Sequence, residues 1–181
     1  MNFARVLRQV GQFLDERGYR FCLAGAMALH GHGASRATAD LDLIVEARAQ
    51  RELLEFLGSL GYELLHVSEG YSNHIHPLEA FGRLDFIYVD ERTADRLFAD
   101  ARRVAVFPGV EALVPSAEHL AALKLFAIKN DPSRMFKDLA DIQFLLGLPG
   151  VDQAEIRAQF ERQGMADRFD EIKRALDRSR S

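Results

Sequence analysis

Residues 40–46, with the sequence DLDLIVE, decide the fold of this chain. Apolar residues alternate with polar ones along the stretch, which is the two-residue period of a β-strand. Leu41 and Leu43 share the face that we expect to pack in the core, whereas Asp40 and Asp42 share the opposite face. The two carboxylates are therefore predicted to lie a few ångströms apart at the start of one strand.

A bound metal ion is one explanation of this carboxylate pair. Like charges at such a distance repel each other, and a hard divalent cation with oxygen ligands relieves the repulsion. Mg²⁺ is the usual cation where phosphate groups complete the coordination. The ordinary alternative is a solvated outer face of the sheet, which is the commoner reason for an Asp-x-Asp pair on a strand. Other segments must decide between the two.

Two further segments favour a binding site. Residues 21–24 form a short apolar run that predicts a buried strand, and Gly25 follows it directly, before a short helix predicted over 26–32. Such a turn presents backbone N–H groups that bind anions such as a triphosphate. Residues 83–89 also alternate and carry Asp85 on their polar face. If the two alternating strands are neighbours, the three aspartates form one cluster.

The rest of the pattern predicts an α/β part followed by helices. Apolar spacings of three and four residues predict helices, and alternation or short apolar runs predict strands. We expect an α/β core over residues 1–115 and a helical C-terminal region over 116–181 that packs on the core. The further predicted elements are helices over 3–14, 50–60 and 92–101, strands over 62–67 and 74–78, extended segments near 104–107 and 113, and helices over 117–129, 132–146 and twice within 152–181.

The composition excludes several classes of protein. The chain has 181 residues, of which 48% are hydrophobic and 28% charged, so it can fold around one sizeable core. These values exclude wholesale disorder and a collagen-like repeat. With a net charge of −4, no strongly basic balance points to nonspecific nucleic-acid binding. The one cysteine, Cys22, lies in an apolar run, which indicates a core thiol.

The sequence also predicts where the protein works. No apolar stretch approaches the roughly 20 residues that a membrane helix needs. The N-terminal segment is amphipathic and carries acidic residues, unlike a secretion signal. We therefore expect a cytoplasmic protein with no membrane partner.

Two pairs of histidines offer a rival metal site. His30 and His32, and likewise His74 and His76, are spaced two residues apart. They are zinc ligands only if further donors converge on them. Exposed or locally hydrogen-bonded imidazoles are the more common outcome of such spacing.

A lysine on the predicted helix 117–129 has two explanations. Lys124 shares a face with apolar residues, so its side chain either extends from the edge of the core or points into a cleft. Asp138 and Asp141 lie three residues apart on the next helix and share one side of it. An interhelical salt bridge and a functional contact with phosphate or carboxylate both fit these three residues.

Taken together, these motifs resemble the nucleotidyltransferase superfamily with the DNA polymerase beta-like fold. The chain looks most like the branch of AbiEii-type toxins and related uncharacterised nucleotidyltransferases. The likeness is strongest over residues 21–46 and 81–90, weaker over 116–146 and absent in the tail. The matching motifs are Leu23-Ala24-Gly25-Ala26, Arg36 with Thr38, Asp40-Leu41-Asp42-Leu43, Arg83-Leu84-Asp85-Phe86, Lys124, and Lys137-Asp138-Leu139-Ala140-Asp141.

The resemblance implies a mixed β-sheet flanked by helices, an α+β form of the α/β class, and an activity. The activity is transfer of a nucleoside monophosphate from an NTP to an acceptor hydroxyl on RNA, a protein or a small molecule. Asp40, Asp42 and Asp85 would bind Mg²⁺, and Asp85 would also act as the base. The residues implied in nucleotide binding are Gly25, Ala26, Arg36, Thr38, Lys124 and Asp138. A toxin role, with an antitoxin as partner, is a further implication of the branch.

One departure from the family pattern favours an alternative function. Ala26 stands where the branch has glycine or serine, and alanine lacks the serine hydroxyl and the conformational freedom of glycine. The alternative is a catalytically silent nucleotide-binding or protein-interaction module on the same fold. The complete set of Asp40, Asp42 and Asp85 favours the enzyme. A purely structural protein would require these three acids to be unrelated surface residues.

Overall fold

A computed structural model describes residues 1–179 of the chain, with the side chain of residue 179 left out. The chain forms two compact units, Met1–Pro115 and a second that begins at Ser116. The first unit contains α1 (Phe3–Glu16), β1 (Phe21–Leu23), α2 (Gly25–Gly31), β2 (Asp40–Glu46), a 3-10 turn (Ala47–Ala49), α3 (Gln50–Ser59), β3 (Glu63–Val67), β4 (Tyr71–Ile75), β5 (Arg83–Val89), α4 (Glu91–Ala99), β6 (Arg102–Phe107) and β7 (Val110–Val114).

A mixed five-stranded sheet organises the first unit, and β6 and β7 form a separate antiparallel pair. The strand order in the large sheet is β1-β2-β5-β4-β3. Strands β2 and β5 are parallel neighbours, while the other pairs are antiparallel. The parallel pair lets the starts of β2 and β5 meet at the same end of the sheet, which is where the predicted aspartates lie.

One face of the two central strands forms the core, as their alternation predicts. Leu41 and Leu43 on β2 and Leu84 on β5 are fully buried, and Phe86 is nearly so. The opposite face differs from the prediction in its second half, because Ile44 is also fully buried there. Only the first residues of β2 on this face therefore reach solvent.

Polar caps and apolar stripes explain the helices around the sheet. The side chain of Asn2 accepts a hydrogen bond from the backbone N–H of Arg5 at the start of α1, which buries Val6, Val10 and Leu14. Such a cap satisfies one of the N–H groups that a helix start leaves without a partner. The packing of the apolar stripe supplies most of the stability of a helix of this length.

The second unit is helical throughout the part that the structure describes. It contains α5 (Ala117–Asn130), a 3-10 turn (Pro132–Arg134), α6 (Met135–Leu146), α7 (Gln153–Arg162) and α8 (Ala166–Ser179). Ser116 caps α5 and Asp152 caps α7 through their side-chain oxygens. The buried side chains of Leu125, Ile142 and Phe160 form part of its core.

The α/β fold class is confirmed, but one strand is displaced from its predicted position. We expected a strand over 74–78, whereas β4 covers Tyr71–Ile75. Its inward positions are Ser72 and His74, both buried and hydrogen-bonded to each other. Because these buried side chains are polar, the strand has no apolar alternation to reveal it. No helix within residues 1–179 combines the length and the apolar character that crossing a membrane requires.

Candidate active site

Three aspartates meet at the start of the two parallel strands. Asp40 and Asp42 lie on β2 and Asp85 lies on β5, directly opposite Asp42 in the register. One carboxylate oxygen from each residue lies within 4.8 Å of the other two, and all three residues are half-buried. The cluster predicted from the sequence is therefore present in the structure.

The donor set suits a hard divalent cation. Carboxylate oxygens are the ligands that Mg²⁺ and related ions prefer, and Mg²⁺ keeps part of its coordination shell for water or phosphate. Among residues 1–179, this is the one group of three or more acidic, histidine or cysteine side chains close enough to share an ion. The half-exposed position leaves room for further ligands from a substrate.

Thr38 fixes the orientation of the first aspartate. Its hydroxyl donates to Asp40 Oδ1 at 2.9 Å and lies 3.0 Å from the backbone oxygen of Asp40. The sequence predicted Thr38 as a nucleotide-binding residue, and the structure places its hydroxyl on a carboxylate of the cluster. The hydrogen bond to Oδ1 leaves Oδ2 of Asp40 available for other contacts.

Gly25 lies against the second aspartate. A Cβ atom at this position would clash with the Asp42 carboxylate, and the backbone of Gly25 has φ +52°. The preceding residue, Ala24, donates its backbone N–H to the backbone oxygen of Asp42 at 2.9 Å. The turn after β1 therefore packs closely against β2, and only glycine meets both the steric and the conformational requirement.

Arg83 is a site residue that the sequence analysis did not select. Its Nε donates to both oxygens of Asp85, at 3.0 and 3.2 Å. This hydrogen bond is the main reason why the pKa of Arg83 is raised, and the charges of Asp40 and Asp42 add to it. The spacing of two residues on one strand was the available signal, since Arg83 and Asp85 must share a face. Arg83 therefore places a positive charge against the carboxylate of Asp85.

Two other residues predicted to bind nucleotide, Ala26 and Arg36, belong to the same unit as the cluster. Ala26 is in the first turn of α2. Arg36 lies in the loop before β2, where His30 Nε2 lies within hydrogen-bond distance of its backbone N–H and carbonyl oxygen. Their assignment to nucleotide binding stays a prediction.

Lys124 and Asp138 belong to the second unit and bind each other. Lys124 Nζ donates to Asp138 Oδ1 at 3.0 Å and to Asp141 Oδ2 at 2.6 Å, and all three residues are buried. Arg134 adds a second cation, with Nε 2.9 Å from Asp138 Oδ2. The interhelical salt bridge is therefore the contact that the structure contains, and a role in phosphate binding stays a prediction.

The histidines that suggested a zinc site have other partners. His32 Nε2 lies 2.8 Å from the backbone oxygen of Pro115, and His76 Nε2 lies 3.2 Å from that of Leu60. His74 is buried, and its Nε2 lies 2.9 Å from Ser72 Oγ. Desolvation lowers the pKa of His74, although the charge of Asp85 opposes the shift. These contacts hold loops and strands together.

Solved structures with a similar fold include a lincosamide antibiotic adenylyltransferase and the antibiotic-resistance factor ANT(2'')-Ia. No protein-family model matches the chain, and no curated protein does. The lincomycin-bound crystal structure of the lincosamide antibiotic adenylyltransferase LnuA has a TM-score of 0.56 and 14% identity, and the match covers 78% of this chain and 94% of that one. The crystal structure of ANT(2'')-Ia with adenylyl-2''-tobramycin has a TM-score of 0.57 and 14% identity, and the match covers 100% of both chains.

A second structure of ANT(2'')-Ia, determined in solution, also has a fold similar to that of this chain. It has a TM-score of 0.56 and 17% identity to this chain, and the match covers 99% of this chain and 94% of that one. At such identities the likeness concerns the fold, and it does not separate the AbiEii-like branch from others. The fold that the motifs predicted is thereby confirmed: the chain has the nucleotidyltransferase fold.

Proposed function

We propose that this protein is a Mg²⁺-dependent nucleotidyltransferase that transfers a nucleoside monophosphate from an NTP to an acceptor hydroxyl. The observation that carries the proposal is the cluster of Asp40, Asp42 and Asp85, held in register on two parallel strands next to Gly25. The shared fold with adenylyltransferases supports it. If the two aspartates merely lay on a solvated outer face of the sheet, the close packing of Gly25 against the Asp42 carboxylate would not be required.

The three carboxylates would hold the metal, which when bound neutralises phosphate charge and orients the reacting groups. Asp40 and Asp42 would bind the metal from β2, with Thr38 fixing the Asp40 carboxylate. Asp85 would bind from β5 and accept the proton of the attacking hydroxyl. The reaction requires mainly positioning and charge neutralisation, which rigid strands provide.

The bond changes follow from this arrangement. The acceptor oxygen forms a bond to the α-phosphorus, the bond from that phosphorus to the β-bridging oxygen breaks, and pyrophosphate leaves with the electron pair. The hydroxyl proton goes to the Asp85 carboxylate. Gly25 would let the triphosphate approach the backbone beside β2, with Ala26 and Arg36 as further candidate contacts. Lys124 and Asp138 stay candidates from the second unit.

The family likeness implies three possible classes of acceptor: RNA, a protein or a small molecule. The similar structures contain lincomycin and adenylyl-2''-tobramycin, which supports a small molecule as acceptor ahead of RNA or a protein. A toxin role with an antitoxin partner rests on the AbiEii likeness alone.

Thermal unfolding with metal and nucleotide tests the proposal. We expect Mg²⁺ and ATP together to raise the Tm by more than the sum of their separate effects, because a ligand that binds only the folded state stabilises it. Asp42→Asn should abolish this joint shift. Asp15→Asn, the same chemical change at an exposed position on α1, should keep it. An unchanged joint shift in Asp42→Asn would contradict the metal site.

A transfer assay separates the enzyme from the silent module. Each of the four NTPs, labelled on the α-phosphate, is incubated with Mg²⁺ and with small hydroxyl compounds, total RNA or cell lysate. We expect label in one acceptor pool, and none with Asp40→Ala/Asp42→Ala. A joint thermal shift without any transfer in these pools would favour the silent nucleotide-binding module, for which Ala26 and the Arg83–Asp85 ion pair are the observations.

A further inference from the structure

A row of polar side chains continues from the aspartate cluster towards the far edge of the sheet. Asp42 is opposite Asp85 across β2 and β5, and Asn73 is opposite Asp85 across β5 and β4. His66 is opposite Asn73 across β4 and β3. Residues opposite each other in a sheet point to the same face. The four side chains therefore form one row on the face that carries the cluster.

The side chains beyond Asp85 are accessible and suited to binding. Asn73 is half-buried, and its amide makes no side-chain hydrogen bond to the residues described, 1–179. His66 is exposed and stacks on Tyr71, with ring centroids 4.7 Å apart and an interplanar angle of 14°. Tyr71 is 46% exposed and Ile75 is 40% exposed. An amide with free donor and acceptor groups thus lies between a carboxylate cluster and an exposed aromatic pair.

The geometry of the proposed reaction indicates which substrate would bind beside Asn73, Tyr71 and His66. Phosphoryl transfer proceeds with the attacking and leaving oxygens roughly in line on opposite sides of the phosphorus. Gly25 follows β1, so a triphosphate at this turn lies on the β1 side of Asp42. The attacking hydroxyl must then approach from the β4 side, beyond Asp85. That side is the one occupied by Asn73, Tyr71 and His66.

We propose that Asn73, Tyr71 and His66 form the acceptor subsite, and that the acceptor is a hydroxyl compound with a planar conjugated ring. This inference rests on the proposed function. Asn73 lies one strand spacing, ~4.8 Å, from Asp85, so its amide can hold the acceptor beside the base. The aromatic pair lies about two spacings from Asp85, so it can stack on a ring that follows the hydroxyl-bearing part of the acceptor.

A binding experiment tests the subsite without depending on turnover. The wild-type protein is saturated with Mg²⁺ and a non-hydrolysable ATP analogue, and the binding of adenosine, phenyl glucoside and methyl glucoside is measured by saturation-transfer NMR. We expect the two planar probes to bind at least ten times more tightly than methyl glucoside. The relative affinity of adenosine and phenyl glucoside distinguishes a nucleoside acceptor from another aromatic one.

Variants locate the binding. Tyr71→Ala and His66→Ala should remove the preference for planar probes, and Asn73→Ala should weaken all three probes, while each variant keeps the joint Tm shift with Mg²⁺ and the analogue. Tyr71→Phe, which keeps the ring, should behave as the wild type. Leu78→Ala, an exposed apolar residue in the β4–β5 turn, is the matched control.

Two results would overturn the subsite. One is equal binding of planar and non-planar probes by the wild type, and the other is a planar preference that survives Tyr71→Ala together with His66→Ala. If the wild-type protein shows no joint Tm shift with Mg²⁺ and the analogue, the proposed function itself is contradicted, which is a different result. The two failures are therefore distinguishable.

Discussion

Gly25 is the residue whose replacement by alanine tests the fit between turn and strand. The added Cβ would clash with the Asp42 carboxylate, and φ +52° is unfavourable for any side chain. We expect Gly25→Ala to cost about 1–3 kcal/mol of stability from backbone strain and to abolish the joint Tm shift with Mg²⁺ and ATP. Differential scanning fluorimetry with and without both ligands measures the two effects.

Gly18 provides the matched control for this substitution. Its φ of +67° is similar, but a Cβ there would meet no atom within 4 Å. Gly18→Ala should therefore lower the stability by a comparable amount and leave the joint shift intact. If both variants lose the shift to the same degree, backbone strain alone explains the effect and the steric role of Gly25 is wrong.

The residues of the cluster could be predicted because polar and apolar residues alternate along both strands that carry them. Asp40 and Asp42 lie on the polar face of one alternating segment, and Asp85 lies on that of another. The resemblance to the nucleotidyltransferase family implied that the three aspartates share one site. Arg83 and Asn73 were missed for different reasons. Arg83 lies two residues before Asp85 on the same strand, so its position on the same face could have been predicted from the spacing. The position of Asn73 opposite Asp85 depends on the register between β4 and β5, which no local pattern specifies.

At the scale of elements, β4 carries a buried polar network that makes stability depend on pH. His74 Nε2 lies 2.9 Å from Ser72 Oγ, which lies 2.7 Å from the hydroxyl of Tyr88. Burial lowers the pKa of His74 from its ordinary value of 6.5. The unfolded chain therefore binds the proton more readily than the folded protein, and protonation favours unfolding.

We expect this contribution of His74 to be fully present above pH 6.5 and to be lost as the pH falls from there through the lowered pKa of the folded state. Urea unfolding between pH 7.5 and pH 5 measures it. His74→Gln keeps a hydrogen-bonding side chain but cannot titrate, so its free energy of unfolding should fall less over the same range. Equal pH dependence in both proteins would refute the assignment.

The helices α5 and α6 are joined by an ion-pair cluster that can be tested by removing its cation. Lys124 is 8% exposed and contacts Asp138 and Asp141. Breaking a buried ion pair is strongly destabilising, but Arg134 still contacts Asp138, so Lys124→Met should lower the free energy of unfolding by about 3 kcal/mol, the lower end of the usual range. Phe126→Ala, at a 57% exposed position on the same helix, should change it by only about 0.5 kcal/mol. Chemical denaturation of both variants gives the comparison.

The element boundaries show what local sequence patterns can and cannot predict. The helix α5 was predicted over 117–129 and covers Ala117–Asn130, because Ser116 is a recognisable cap. The strand β4 was misplaced because its inward side chains are Ser72 and His74. Hydrogen bonds made in the folded state allow these polar groups to be buried, and such bonds cannot be read from hydrophobic periodicity.

At the scale of the whole molecule, the strand order leaves β3 at the edge of the large sheet. Leu64 is 50% exposed, Leu65 53% and Val67 44%. A strand edge with unpaired backbone groups and exposed apolar side chains is prone to pair with another chain. We therefore expect association of the protein at high concentration, measurable by sedimentation velocity.

A charge on this edge should suppress the association. Leu65→Lys places a lysine on β3, where natural edge strands often carry one. Leu78→Lys introduces the same charge at a position that is 61% exposed but lies in a turn. We expect only the first variant to shift the concentration dependence. A similar shift in both variants would indicate general charge repulsion.

The pairing of β2 with β5 has a consequence for how the protein is made. In the chain, α3, β3 and β4 separate the two strands, although they are neighbours in the sheet. On the ribosome, two of the three clustered carboxylates emerge with β2, and the third is synthesised only when β5 is reached. A nascent chain therefore has no complete carboxylate cluster during the first part of translation, and the cluster forms only once the later strand has docked beside the earlier one.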